Sequence, residues 1–204
     1  RTAHRTDDDP LVLVGGHCAY NPEPVADFVD AAVLGDGEEV VGEITEMLAA
    51  WRAEGGGARV DLHRRLATID GVYVPSLYEV TFADGRLHGV RASAEAVEVV
   101  EKRTVADLAD WPYPKQQLVP LTEVVHDRLN VEVFRGCTRG CRFCQAGMIT
   151  RPVRERPAAQ VRTMVADGLK RTGYDEVALT SLSTADFSGI EQVVAETVAD
   201  DACG

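Results

Sequence analysis

Long apolar runs are missing from this chain, and their absence removes the first class of function. No stretch of its 204 residues approaches the roughly 18 apolar residues that a membrane-crossing helix needs. No basic-then-apolar segment marks a secretory signal. The expected setting is therefore the cytoplasm, with no membrane partner. Positive charge is scarce as well: 21 Lys and Arg stand against 33 Asp and Glu, a net charge of −12. With aromatic residues at 6% and none interleaved with a second basic patch, nucleic acid is not indicated. Cysteine is rare, five in all, and three of these, Cys137, Cys141 and Cys144, fall within eight residues. Together with the distant Cys18 and Cys203 they make no disulfide framework, and clustering in a reducing compartment points to metal or redox chemistry. The chain opens on Arg1, and no element closes the helix read from Ile190 to about Asp200. It reads as a fragment, with N- and C-terminal parts missing.

What remains is an ordinary globular composition, 45% hydrophobic and 26% charged. The run Leu11 to Gly16, LVLVGG, predicts a strand buried on both faces and ended by a tight turn. A short helix from the NPEP prolines leads into a second strand, Ala31 to Leu34. Gly-Asp-Gly then opens a helix with Glu38 and Glu39 at its start and Val41, Ile44, Leu48 and Trp51 at helical spacing, closed by three glycines. This order predicts an α/β layer. Further along, VYVPSLYEVTFADGRLHGVRA alternates as strands do, with Ala83-Asp84-Gly85-Arg86 as a hairpin turn. The proline-rich stretch between residues 108 and 122 reads as a connector and a domain change.

The last third returns to α/β order. Asn130 to Gly136 predicts a strand that runs into the cysteine loop. PAAQVRTMVADGLKRTG predicts a helix with Val161, Val165 and Leu169 on one face, ended at Gly173. DEVALTSLST is the next strand and SGIEQVVAETVAD the next helix. In such βα units ligands gather at the carboxyl ends of the strands, where the cysteines fall. From Phe134 to Tyr174 nine Lys or Arg face only Glu155 and Asp167, a basic island of +7 in an acidic chain. Those arginines offset an anionic cofactor, receive an anionic substrate, or simply make a solvated face.

Cys137, Cys141 and Cys144 are spaced by three and then two residues, and Gly136, Gly140 and Gly147 let the loop wrap closely around a bulky group. Three thiolates on a four-iron cluster leave one iron without a protein ligand. This pattern, with the aromatic Phe143 before the last cysteine and the loop after a first barrel strand, resembles the signature of radical S-adenosylmethionine (SAM) enzymes. The resemblance implies a [4Fe-4S] cluster held by the three cysteines and SAM chelated at the open iron. It further implies reductive cleavage of SAM to a 5'-deoxyadenosyl radical, with electrons from a reductant such as a flavodoxin or ferredoxin. It assigns Phe143, Ser181 and Ser183 to SAM, the two serines standing in the TSLST segment where the family contacts the SAM amino group.

The N-terminal part resembles the second half of the cobalamin-binding domain of an uncharacterised bacterial subgroup of these enzymes, with Gly15 and Gly16 beside the cofactor tail. No Asp-x-His-x-x-Gly motif is present, and His17 does not replace its histidine. The implied fold is α/β: the C-terminal half of a Rossmann-like cobalamin-binding domain (1–72), a hairpin and connector (73–122), and the start of a partial TIM-type barrel (123–204). A barrel cut after about two βα units is expected to be inactive alone.

Each reading has a rival. The cysteines suit a non-catalytic iron-sulfur or zinc-binding, electron-transfer module with His126 or Cys203 as fourth ligand. Gly15-Gly16 suits a plain turn, and Cys18 and Cys203 suit incidental thiols. Arg154 and Arg156 suit a solvated helix start as well as a bidentate hold on a substrate carboxylate or phosphate. Asp186 and Glu191 receive no catalytic role, and the substrate is unidentified.

Overall fold

The run expected as one buried strand contributes two ladder residues, β1 (Leu13–Val14), and Leu13 is 40% exposed. The difference comes from its place at the edge of a three-stranded sheet, β1-β2-β3. The centre is β2 (Ala31–Val33), buried along its whole length. β1 runs parallel to β2, with Leu13 opposite Ala31. The computed structural model describes residues 1–115 and 117–199. It divides into two units, Arg1–Val105 and Ala106–Gly204, and forms a mixed α/β protein of small sheets and helices.

In the first unit β2 is followed by α1 (Glu38–Ala53), then α2 (Arg59–Leu66), then β3 (Val72–Tyr73). β3 lies antiparallel to β2, with Ala32 opposite Tyr73. A single helix between strands returns the chain to its starting end and gives a parallel pair. A second helix reverses that outcome, and α2 was not foreseen in the sequence. α1 turns Val40 and Ile44 inward, with Met47, Leu48 and Trp51 packed beside them, while Val41 faces solvent. The helical period of the sequence holds, with the inward face starting one residue earlier, at Val40.

The N-terminal arm is tied down by one carboxylate. Asp30 has a fully buried side chain. It accepts from Val12 N at 2.8 Å, Arg5 at 2.9 Å, both Nε and Nη2 of Arg59 at 2.9 Å, and faces His63 Nε2 at 3.0 Å. The remaining Arg59 donors go to the carbonyls of Thr6, Asp9 and Pro10. Every donor of a buried guanidinium is thus satisfied, as burial demands.

β4 (Tyr78–Ala83) and β5 (Arg86–Ala92) form the expected hairpin. Asp84 (φ 52°) and Gly85 (φ 71°) both take the left-handed conformation, the turn that Asp-Gly favours because it matches strand twist.

In the second unit β6 (Leu129–Glu132) pairs in parallel with β9 (Val177–Thr180), Leu129 opposite Val177 and Glu132 opposite Thr180. Between them in sequence lies α4 (Ala158–Thr172), which buries Val161, Met164 and Val165 against Leu129, Val131 and Val133. α4 ends at Gly173 (φ 76°), whose N–H donates to Leu169 O at 2.9 Å, a left-handed cap of the kind glycine supplies. α5 (Ile190–Ala199) follows with Val193 buried.

Candidate cofactor site

The strand expected to run unbroken from Asn130 into the loop divides at Val133. After it, β7 (Phe134–Arg135) turns away to pair antiparallel with β8 (Arg154–Glu155). Val133 N donates to Thr180 O at 3.1 Å, while its carbonyl accepts from Arg156 N at 2.9 Å. The two-residue ribbon closes the neck of a loop that carries all three clustered cysteines. Gly136, at the neck, has φ 89°, and a Cβ there would lie 2.5 Å from Pro152 O. Only glycine fits this close approach.

Inside the loop Cys137 is buried, Cys144 half-buried and Cys141 exposed, and all three are free thiols. Backbone N–H groups aim at two of the sulfurs, Arg139 N at Cys137 Sγ (3.4 Å) and Gly147 N at Cys144 Sγ (3.3 Å). Gly147 stands beside both of these cysteines: a Cβ there would sit 3.6 Å from Cys144 Sγ and 3.7 Å from Cys137 Cβ. α3 (Ala146–Ile149) begins directly after the last cysteine. Arg151 Nε braces the loop from the other side at Cys137 O, 3.3 Å. Among the described residues no three His, Cys, Asp or Glu side chains are gathered closely enough to hold a metal ion.

The TSLST segment stands at the end of β9, beside the end of β6. Ser181 Oγ lies 2.9 Å from Thr184 Oγ1 and accepts from Ser183 N at 3.2 Å. Ser183 Oγ donates to Asp186 Oδ2 at 2.6 Å. Asp186 also receives both Nε (2.6 Å, to Oδ2) and Nη2 of Arg139, which stands between Cys137 and Cys141. The Arg139 bonds, then that of Ser183, hold the Asp186 carboxyl below the usual carboxylate range. An ion pair therefore joins the cysteine loop to the segment that carries Ser183. In the sequence Arg139 belongs to the basic island and Asp186 has no assigned role, because nothing in their spacing of 47 residues reveals a pair.

The other expected residues are dispersed. Phe143 is 92% exposed. Arg154 and Arg156 are buried, not solvated. Arg154 donates to Pro152 O and Thr150 O, both at 3.1 Å. Arg156 donates to Leu108 O and lies 3.6 Å from Glu132. His126 is exposed, 3.4 Å from Arg128, and Cys203 lies outside the described residues. In the first unit Gly15 and Gly16 are exposed, and Gly16 (φ 87°) starts a 3-10 helix, His17–Tyr20, that carries Cys18 on the surface. No helix of the described residues is long and apolar enough to cross a membrane.

Residues 1–75 match the family described as "Radical SAM proteins, N-terminal". That match relates the chain to radical SAM proteins. The chain is also 26% identical over 190 residues to an uncharacterized protein of Methanocaldococcus jannaschii, an alignment covering 93% of this chain and 35% of that protein. It thus spans about a third of the length of the curated relative it matches. The family match falls on the first unit and the cysteine loop on the second.

Proposed function

We propose that the cysteine loop belongs to a radical SAM enzyme, with Cys137, Cys141 and Cys144 as thiolate ligands of a [4Fe-4S] cluster. One observation carries the proposal: three free thiols stand on a glycine loop clamped at its neck, in a chain whose first 75 residues match an N-terminal radical SAM family. The donor set suits the group, since thiolates are the usual ligands of such clusters and two sulfurs already receive N–H bonds. Gly147 stands beside two of them. When bound, the cluster supplies an electron for reductive cleavage of SAM, which begins radical chemistry on a substrate still to be identified.

The chain's own residues bind and orient. Gly136 and the β7–β8 ribbon fix the mouth of the loop, and backbone N–H groups point at the Cys137 and Cys144 sulfurs. Ser181 and Ser183 offer oxygen acceptors to the amino group of SAM. Phe143, exposed on the loop, is available to cover bound SAM and keep water from it. Cobalamin forms no part of the proposal, because the left-handed conformation of Gly16 calls for glycine there without a ligand.

The test uses the natural full-length polypeptide, reconstituted without oxygen with iron and sulfide, then reduced and given SAM. 5'-Deoxyadenosine is expected from it and not from Cys141→Ala, which should also lose iron. Stoichiometric zinc, or an assembled cluster that neither binds SAM nor gives product, would overturn the proposal in favour of a non-catalytic metal module.

A further inference from the structure

The hydroxyl hydrogens of the segment after β9 are all spent inside the segment. Thr184 Oγ1 donates to Leu179 O at 3.2 Å, so the Ser181 hydroxyl, 2.9 Å away, donates to Thr184 Oγ1. Ser183 Oγ donates to Asp186 Oδ2. A serine hydroxyl has one hydrogen and two lone pairs, so both serines are left with lone pairs alone to offer a ligand. Groups in that state receive a cation and repel an anion. For Ser183 the state depends on Asp186, an ionised carboxylate that can only accept. Asp186 is in turn gripped by two donors of Arg139, whose own backbone N–H points at Cys137 Sγ. A continuous run of bonds thus connects a cysteine sulfur to the Ser183 hydroxyl.

We infer that Asp186, clamped by Arg139, is a positioning residue that keeps Ser183 as an acceptor for the ammonium group of SAM. The inference rests on the function proposed above and adds the device that sets the serine's polarity and ties its position to the cysteine loop. The pair is partly exposed, with 59% of the Arg139 and 32% of the Asp186 side chain open to solvent, and exposed ion pairs contribute little to folding. Its replacement should therefore leave a folded protein in which the function of the pair can be read.

The experiment compares equilibrium binding of SAM and of its deaminated analogue to the reconstituted full-length polypeptide and to Asp186→Ala, Ser183→Ala and the double variant. Each variant is expected to hold wild-type iron and to bind SAM roughly tenfold more weakly, about 1.4 kcal/mol. Affinity for the deaminated analogue should be unchanged, and the double variant should bind no more weakly than either single one, as for two residues acting through one contact. Amide hydrogen exchange in the cluster-free polypeptide is a second readout. Residues 137–144 and 180–186 should exchange faster in Arg139→Gln and Asp186→Ala, and recover in the charge swap Arg139→Asp with Asp186→Arg. Wild-type SAM affinity in Asp186→Ala, equal losses for both ligands, or unchanged exchange would overturn the inference. A loaded wild-type protein that binds no SAM would instead overturn the function on which it rests.

Discussion

At the scale of single residues, two positions bear more than their size suggests. Gly136 combines a left-handed backbone with a contact that a methyl group would bring to 2.5 Å from Pro152 O, a backbone atom that cannot swing aside. Gly136→Ala is expected to destabilise the second unit by about 2 kcal/mol, since strain of this kind costs on the order of 1–3 kcal/mol. A lower guanidinium midpoint with reduced iron loading would report it, and an unchanged midpoint would refute the account of the neck. Asp30 is the second. Burial alone would raise its pKa, but hydrogen bonds from Arg59, Val12 N and His63 outweigh that and lower it from 3.8 to about 2. The folded value lies below the unfolded one, so its stabilisation is complete above about pH 4 and is lost as pH falls from about 4 to about 2. Asp30→Asn removes the charge that Arg5 and Arg59 face, an expected loss of about 3–5 kcal/mol for breaking a buried pair. In an acid titration followed by circular dichroism, that variant should lack the step between those pH values.

At the scale of elements, α4 packs so closely on β6 that Gly168, inside the helix, faces Leu129, a side chain with no exposed surface. A Cβ at Gly168 would lie 2.6 Å from Leu129 Cδ2. Alanine is the better helix former by about 1 kcal/mol, whereas overpacking a core costs typically 1–3 kcal/mol. The second effect should win, so Gly168→Ala is expected to lower the melting temperature; a rise would show that Leu129 can move. The hairpin turn at Asp84-Gly85 and the end of α4 at Gly173 were legible because local chemistry decides them. α2 was not, because RVDLHRRL holds few apolar residues and only Leu62 and Leu66 reach the core. Its Arg59 and His63 are fixed instead by Asp30, 29 and 33 residues earlier. The break between β6 and β7, and the strand β8, were not legible for a similar reason: two-residue strands have no period to read.

At the scale of the molecule, the Asp30 network lies wholly in the first unit, and the core of Leu129, Val161 and Phe187 wholly in the second. Units with separate cores can open separately. Asp30→Asn is expected to speed amide exchange in residues 1–12 and in α2 while leaving α4, β6 and β9 at their original rates. Faster exchange throughout would mean that the two units unfold as one. This division also bears on the proposed chemistry, because the family match and the cysteine loop fall in different units.

The sequence by itself determined the chemical character of the site and the local punctuation of the chain. Three thiols follow from the side chains, and the spacing of Cys137, Cys141 and Cys144 confines them to one loop. Helices and turns of strong period or capping chemistry follow from near neighbours. Only the tertiary structure decided which distant groups meet. It reversed β3 through a second helix, buried Arg154 and Arg156 against backbone carbonyls, and brought Arg139 to Asp186. Such pairings depend on how the chain is folded back on itself, and the free energy that selects them comes from burial and satisfied hydrogen bonds, which are not encoded in sequence spacing.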